Sequence, residues 1–174
     1  DKTIDIKIDG TADVTILDGE EILYAGSICD KLSFTPKNPI LWNAEKPYLY
    51  TLVVNTATEY IPFRVGMREI SVSDKGELLI NGQSVKLKGV NHHDTHPLTG
   101  YAMTDDDIRK DLALMKQLNM NCIRTSHYPP TPEFISVCDE MGFYVVDECD
   151  NEAHGFNLRH AEFAGLPNHY DNQN

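Results

Sequence analysis

The chain has 174 residues, 41% of them hydrophobic, and a formal net charge of −12. That length holds one large or two small domains, and the apolar share supports a packed core. The acidic balance argues against nucleic acid or an anionic membrane as a partner, and no run approaches the ~20 apolar residues of a membrane span.

The opening DKTIDIKIDG alternates Ile4, Ile6 and Ile8 with charged residues, the period-two pattern of a half-buried strand. It has no basic and apolar leader pattern, so no signal peptide is expected. Turn signals follow at Asp9-Gly10 and Asp18-Gly19, and Pro36, Pro39, Pro47 and Pro62 punctuate the next stretch. YLYTLVV (48–54) is a strong strand candidate. Short strands set off by Pro and Gly predict an immunoglobulin-like β-sandwich over residues 1–72. Such sandwiches take about 100 residues, so this one is expected to be incomplete.

From residue 85 the pattern changes to alternating strand and helix. Residues 85–90 read as a strand. Thr104 with Asp107 three residues on makes a near capping box, and Asp105 and Asp106 suit a helix N-terminus. Ile108, Leu112, Met115 and Leu118 space out that helix's apolar stripe. A second strand is expected over 121–125. Thr131-Pro132 then opens a helix that stops at Gly142, and FYVV (143–146) is a third strand.

Strand, helix, strand, helix, strand is the repeating unit of parallel α/β folds. No GxGxxG follows any of these strands, so a dinucleotide fold has no support. A polar cluster follows each strand instead: NHHDTHP, SHYP and DECDNEAH. Delivery of three clusters to one edge predicts the first three βα units of a (β/α)8 TIM barrel over residues 73–174, with its site at the C-terminal face.

Within NHHDTHP, His92, His93 and His96 match no standard zinc spacing. On an extended segment His92 and His93 face opposite ways, so at most one reaches a pocket. Arg124 lies in the second strand, inward or outward by parity alone; if buried it needs a carboxylate. Glu152 and His154 are spaced i, i+2 and share a face when extended, which makes half a divalent-cation site. Asp147 and Glu148 lie deeper and are expected to support structure. Cys29, Cys122, Cys138 and Cys149 form no CxxC pair and read as reduced thiols of a cytoplasmic protein.

KGVNHHDTHP, NCIRTSHYPP followed by CDEMGFYVVDE, and DNEAHGF together resemble the β-galactosidases of glycoside hydrolase family 2. FRVGMREISV and LLINGQSVKLKGVN resemble the junction between that family's immunoglobulin-like domain and its barrel. The resemblance implies a retaining hydrolase of terminal β-galactosides such as lactose, working as a homo-oligomer. It assigns His93 and His127 to contacts with galactose hydroxyls, Arg124 to support of the nucleophile, and Glu152 and His154 to an active-site magnesium. It also implies that both catalytic glutamates follow later barrel strands, so that none lies in this chain. A β-glucuronidase or β-mannosidase of the same family, or a non-catalytic carbohydrate-binding module, stands as the alternative.

Overall fold

The computed structural model describes residues 2–150. β1 (Ile4–Asp18) and β2 (Glu21–Phe34) form a long antiparallel hairpin turned at Gly19, which has φ 59°. β3 (Tyr50–Asn55) pairs with β1, and β4 (Tyr60–Val65) closes the four-stranded order β2-β1-β3-β4. The Asp18-Gly19 turn is where the sequence places one. Asp9-Gly10 is not a turn: it lies inside β1, where the register with β2 shifts between Lys7 and Thr11 and Gly10 sits at φ 97°. Glycine makes that conformation accessible, and the extra residues bend the ribbon instead of ending it. Beyond the bulge the ribbon leaves β3, and Ile4 and Ile6 join Val14, Ile16, Leu52 and Val54 in one buried cluster.

A small antiparallel sheet follows, in the order β5 (Ile70–Val72), β6 (Leu78–Ile80), β7 (Gln83–Ser84). Asn81 and Gly82 both have positive φ, which suits the tight turn between β6 and β7.

Parallel pairing begins at β8 (Gly89–His92) and continues through β9 (Cys122–Thr125) and β10 (Tyr144–Val146), with β9 central. The strand expected over 85–90 therefore starts later. The Asn121 side chain accepts from Lys88 N at 2.7 Å and donates to Lys86 O at 3.1 Å, so it occupies the backbone groups that a longer strand would use. At Gly89 a Cβ would stand 2.2 Å from Cys122 O, so only glycine admits the close approach of β8 to β9.

Helices α1 (Asp105–Gln117) and α2 (Pro132–Met141) link these strands. Thr131 caps α2 by accepting from Phe134 N, and Gly142 ends it in the left-handed conformation. Ile108, Leu112, Ile123, Phe134, Val137, Cys138 and Phe143 form the core between the helices and the sheet. Full burial of an aliphatic or aromatic side chain there contributes about 1.5–3 kcal/mol, as an upper estimate. Leu118 does not belong to that stripe: it is the C-cap of α1 and is exposed.

Thr104 and Asp107 complete a reciprocal capping box at the start of α1. The Thr104 hydroxyl, and then its backbone N–H, hold the Asp107 carboxyl below its ordinary pKa. A folded value below the unfolded one stabilises fully above the unfolded carboxylate range and is lost as pH falls through the folded value. Asp107→Asn is therefore expected to flatten the acid limb of the stability curve, read by thermal melts between about pH 6 and pH 3.

The two halves meet at Trp42, which is 1% exposed. Its backbone N–H donates to Met67 O, its carbonyl accepts from Asn81 Nδ2, and its indole Nε1 donates to Asp139 O at 2.8 Å. The ring meets Tyr144 edge-on at 5.7 Å, and the Arg68 guanidinium lies 4.9 Å from its centroid. Lys116 Nζ, at the end of α1, donates to both Ala44 O and Gly142 O.

Candidate functional site

Parallel pairing brings the chain segments leaving β8, β9 and β10 to one edge. Asn91, Arg124 and Val146 are in register, and side chains in register share a face of the sheet. Glu148, two residues past Val146, continues that face. An open depression lies against it, lined by Gly89, Val90, Asn91, Cys122 and Arg124.

Arg124 organises this face. Its Nε donates to Glu148 Oε1 at 2.6 Å, its Nη1 donates to Asn91 Oδ1 at 3.1 Å, and its Nη2 lies 3.3 Å from His127 Nδ1. His127 Nδ1 is also 3.4 Å from Glu148 Oε2. Arginine can only donate, so a bare Nδ1 accepts from Nη2, whereas a protonated Nδ1 donates to the carboxylate. In either state the trio engages one imidazole nitrogen and leaves Nε2 outside it. Thr125 fixes the backbone below: its hydroxyl accepts from Glu148 N at 3.0 Å and lies 3.4 Å from Asp147 Oδ1. The Ser126–His127 peptide bond is cis.

The two adjacent histidines separate as strand parity requires. His92 is buried, stacked on Phe134 at 5.2 Å, with Nδ1 3.5 Å from Asp94 and Nε2 3.4 Å from Asp111. Its carbonyl accepts from the N–H and the hydroxyl of Ser126, which ties the end of β8 to the end of β9. His93 is exposed on the other side, 5.6 Å from the His127 ring and 6.1 Å from Tyr128. Tyr128 is held by its hydroxyl, which accepts from Asp94 N at 3.2 Å.

Of the residues singled out from the sequence, His93, His127, Arg124 and Glu148 converge at this edge. Glu152 and His154 lie outside the described residues. Among the described residues, no group of three or more His, Cys, Asp or Glu side chains is placed to hold a metal ion. The sequence pattern does not mark Asn91, Thr125 or Tyr128 as site residues. The signal for Asn91 was available, since it shares strand parity with His93. The arrangement offers two solvent-facing imidazoles beside a neutralised carboxylate, which suits hydrogen bonding to the hydroxyls of a sugar ring. Glu148 is committed to Arg124, and Asp147 lies against Thr125.

Residues 70–173 match the family model described as glycosyl hydrolases family 2, TIM barrel domain, and residues 1–68 match the model described as glycosyl hydrolases family 2. The chain belongs to glycosyl hydrolase family 2. This family 2 chain is 47% identical over 137 residues to a β-galactosidase of Staphylococcus xylosus, covering 79% of the chain and 14% of the relative. It is 53% identical over 118 residues to a β-galactosidase of Actinobacillus pleuropneumoniae, covering 68% of the chain and 12% of the relative. The chain thus spans about one-seventh or less of the length of these curated relatives. Among solved structures, the family 2 chain is similar to a Lactobacillus rhamnosus β-glucuronidase. That match has a TM-score of 0.73 and 28% identity, over 84% of this chain and 26% of that one. A Parabacteroides merdae β-glucuronidase matches with a TM-score of 0.66 and 28% identity, over 80% and 19%.

Proposed function

We propose that this chain is part of a retaining β-galactosidase that hydrolyses terminal β-galactosides of the lactose type. The observation that carries the reading is the Arg124–Glu148–His127 trio beside His93, in a chain 47–53% identical to proteins named β-galactosidase. In this reading residues 1–72 end a β-sandwich and residues 73–174 supply the first three βα units of the barrel. His93 and His127 hydrogen-bond the galactose hydroxyls. Arg124 and Glu148 fix the charge of the pocket floor. Retaining hydrolysis needs two carboxyls about 5–5.5 Å apart; Glu148 is held by Arg124, and in this reading the acid/base and nucleophile glutamates come from later strands.

Glu152 and His154 would hold a magnesium ion, whose positive charge tunes a neighbouring acid. A carboxylate oxygen suits magnesium, and a third protein ligand is expected from elsewhere. Glu152→Gln in the full-length protein is expected to raise the magnesium concentration needed for half-maximal activity about 10-fold or more. An unchanged magnesium titration would remove Glu152 from the ligand set. Free cysteines, two buried and two exposed, support a cytoplasmic location for a protein that works as a homo-oligomer.

β-Glucuronidase is the second reading, favoured by the similar solved structures. Steady-state rates of the full-length protein on nitrophenyl β-galactoside and nitrophenyl β-glucuronide decide between them. Preference for the galactoside is expected. Preference for the glucuronide would transfer the chain to the other activity, and no hydrolysis of either would favour a binding module.

A further inference from the structure

The edge that carries His93 and His127 is held from behind by a histidine that points the other way. His92 is buried, and burial reached within this chain is not undone by the rest of a longer protein. Its ring stacks on Phe134 of α2 at 5.2 Å and 29°. Nε2 lies 3.4 Å from Asp111 of α1, and Nδ1 lies 3.5 Å from Asp94 in the segment leaving β8. Whichever nitrogen carries the proton in the neutral ring, a carboxylate faces it, and the imidazolium serves both. The Asp94 side chain is only 15% exposed, and a carboxylate so enclosed needs such a partner.

Each contact of His92 leads on to the strand-edge group. His93 follows it directly in the chain. The His92 carbonyl accepts from the Ser126 N–H at 3.2 Å and from its hydroxyl at 3.3 Å, and Ser126, itself buried, is joined to His127. The Asp94 N–H donates to the Tyr128 hydroxyl at 3.2 Å, and the Tyr128 ring stands 6.1 Å from His93. His92 is thus anchored on two helices and ties together the chain leaving β8 and the chain leaving β9.

We propose that His92 is a positioning residue, which sets the spacing at which the His93 and His127 rings meet a sugar. The inference rests on the proposed glycosidase reading of that edge and extends it to a side chain facing away from the substrate. Arg124 and Glu148 orient the His127 ring, whereas His92 fixes the backbone that carries both rings. The two rings stand edge-on at 5.6 Å. Two hydrogen-bonding groups that share one ligand must be held to within about 0.5 Å, and buried side chains behind them supply that precision.

The test is a double-mutant cycle in the full-length enzyme, read as kcat/KM on nitrophenyl β-galactoside. His92→Phe keeps a ring on Phe134 and removes both nitrogens. Asp111→Ala removes one anchor from a half-exposed position of α1, where alanine suits the helix, so it carries the cycle alone if His92→Phe does not fold. His92→Phe is expected to lower kcat/KM about 10-fold or more, and Asp111→Ala about 3-fold. In an enzyme already carrying His93→Ala and His127→Ala, each loss should shrink below about 2-fold, because the groups that His92 positions are gone. The same factor lost in both backgrounds would make His92 an ordinary core residue and overturn the proposal. So would no loss from either variant in the wild-type background. In crystal structures, the separation of the His93 and His127 rings should differ from wild type by about 0.5 Å or more in the folded variant, and an unchanged separation would also overturn it. A wild-type enzyme inactive on the galactoside would defeat the galactosidase reading instead. The same cycle on nitrophenyl β-glucuronide, with the ring separation, would then decide the role of His92.

Discussion

Replacing Arg124 by lysine in the full-length enzyme is expected to lower kcat/KM about 100-fold or more while shifting Tm by no more than about 4 °C. The guanidinium serves Glu148, Asn91 and His127 from three separate nitrogens in one plane. An ammonium keeps the charge but is a single point on a flexible stem, so it can hold Glu148 or Asn91 and cannot align both with the imidazole. His127 then loses its orientation, and if it holds the sugar as proposed, small misplacements are costly in rate. Stability is expected to move far less. The Arg124 and Glu148 side chains are 37% and 26% exposed, and a pair so screened contributes only about 1 kcal/mol. Steady-state kinetics together with a thermal melt separate the two effects. A lysine variant within about 3-fold of wild type would show that charge alone suffices at this position.

Trp42→Ala is expected to cost about 3–5 kcal/mol in unfolding free energy, the usual range for deleting a buried large aromatic. The effect should exceed simple cavity formation in one respect. Trp42 touches Met67, Asn81, Asp139, Tyr144 and Arg68, which belong to three different sheets or their connections. Its loss is expected to split urea unfolding of the chain into two transitions. Trp42→Phe keeps most of the packing but orphans Asp139 O, and should cost about 1–3 kcal/mol with a single transition retained. Trp42 is the chain's single tryptophan, so in the wild type its emission reports this junction directly. A single transition in the alanine variant, with under about 1 kcal/mol lost, would show that the halves are joined elsewhere.

Much of this architecture was legible because its signals are local. Thr104 with Asp107, Thr131 with Pro132, and Gly142 each act within one helical turn, and both helices begin or end at those residues. Parity separated His92 from His93 for the same reason. Signals that depend on a distant partner mislead. Asp9-Gly10 has the composition of a turn, but β2 stays paired on both sides of it, and the pairing converts it to a bulge. The sequence pattern starts β8 too early, because Asn121, more than thirty residues away, occupies Lys88 N and Lys86 O. Arg124 could be given no partner from sequence, since only the parallel register sets Asn91 and Glu148 beside it. Trp42 carries no signal in the sequence, because a lone tryptophan in a proline-rich stretch has no periodic pattern.

The bent ribbon of β1 and β2 has a consequence for the order in which the chain folds. Both strands are long and joined by a two-residue turn, so their pairing closes short loops and can zip outward from Gly19. Pairing of β8 with β9, and of β9 with β10, must wait for α1 and α2 to complete each crossover. Non-local contacts of that kind carry a larger loop-closure entropy and form more slowly. The ribbon is thus the natural nucleus. Slow steps in refolding should belong to the parallel sheet, while the emission change at Trp42 should arrive only when the second half docks against the first.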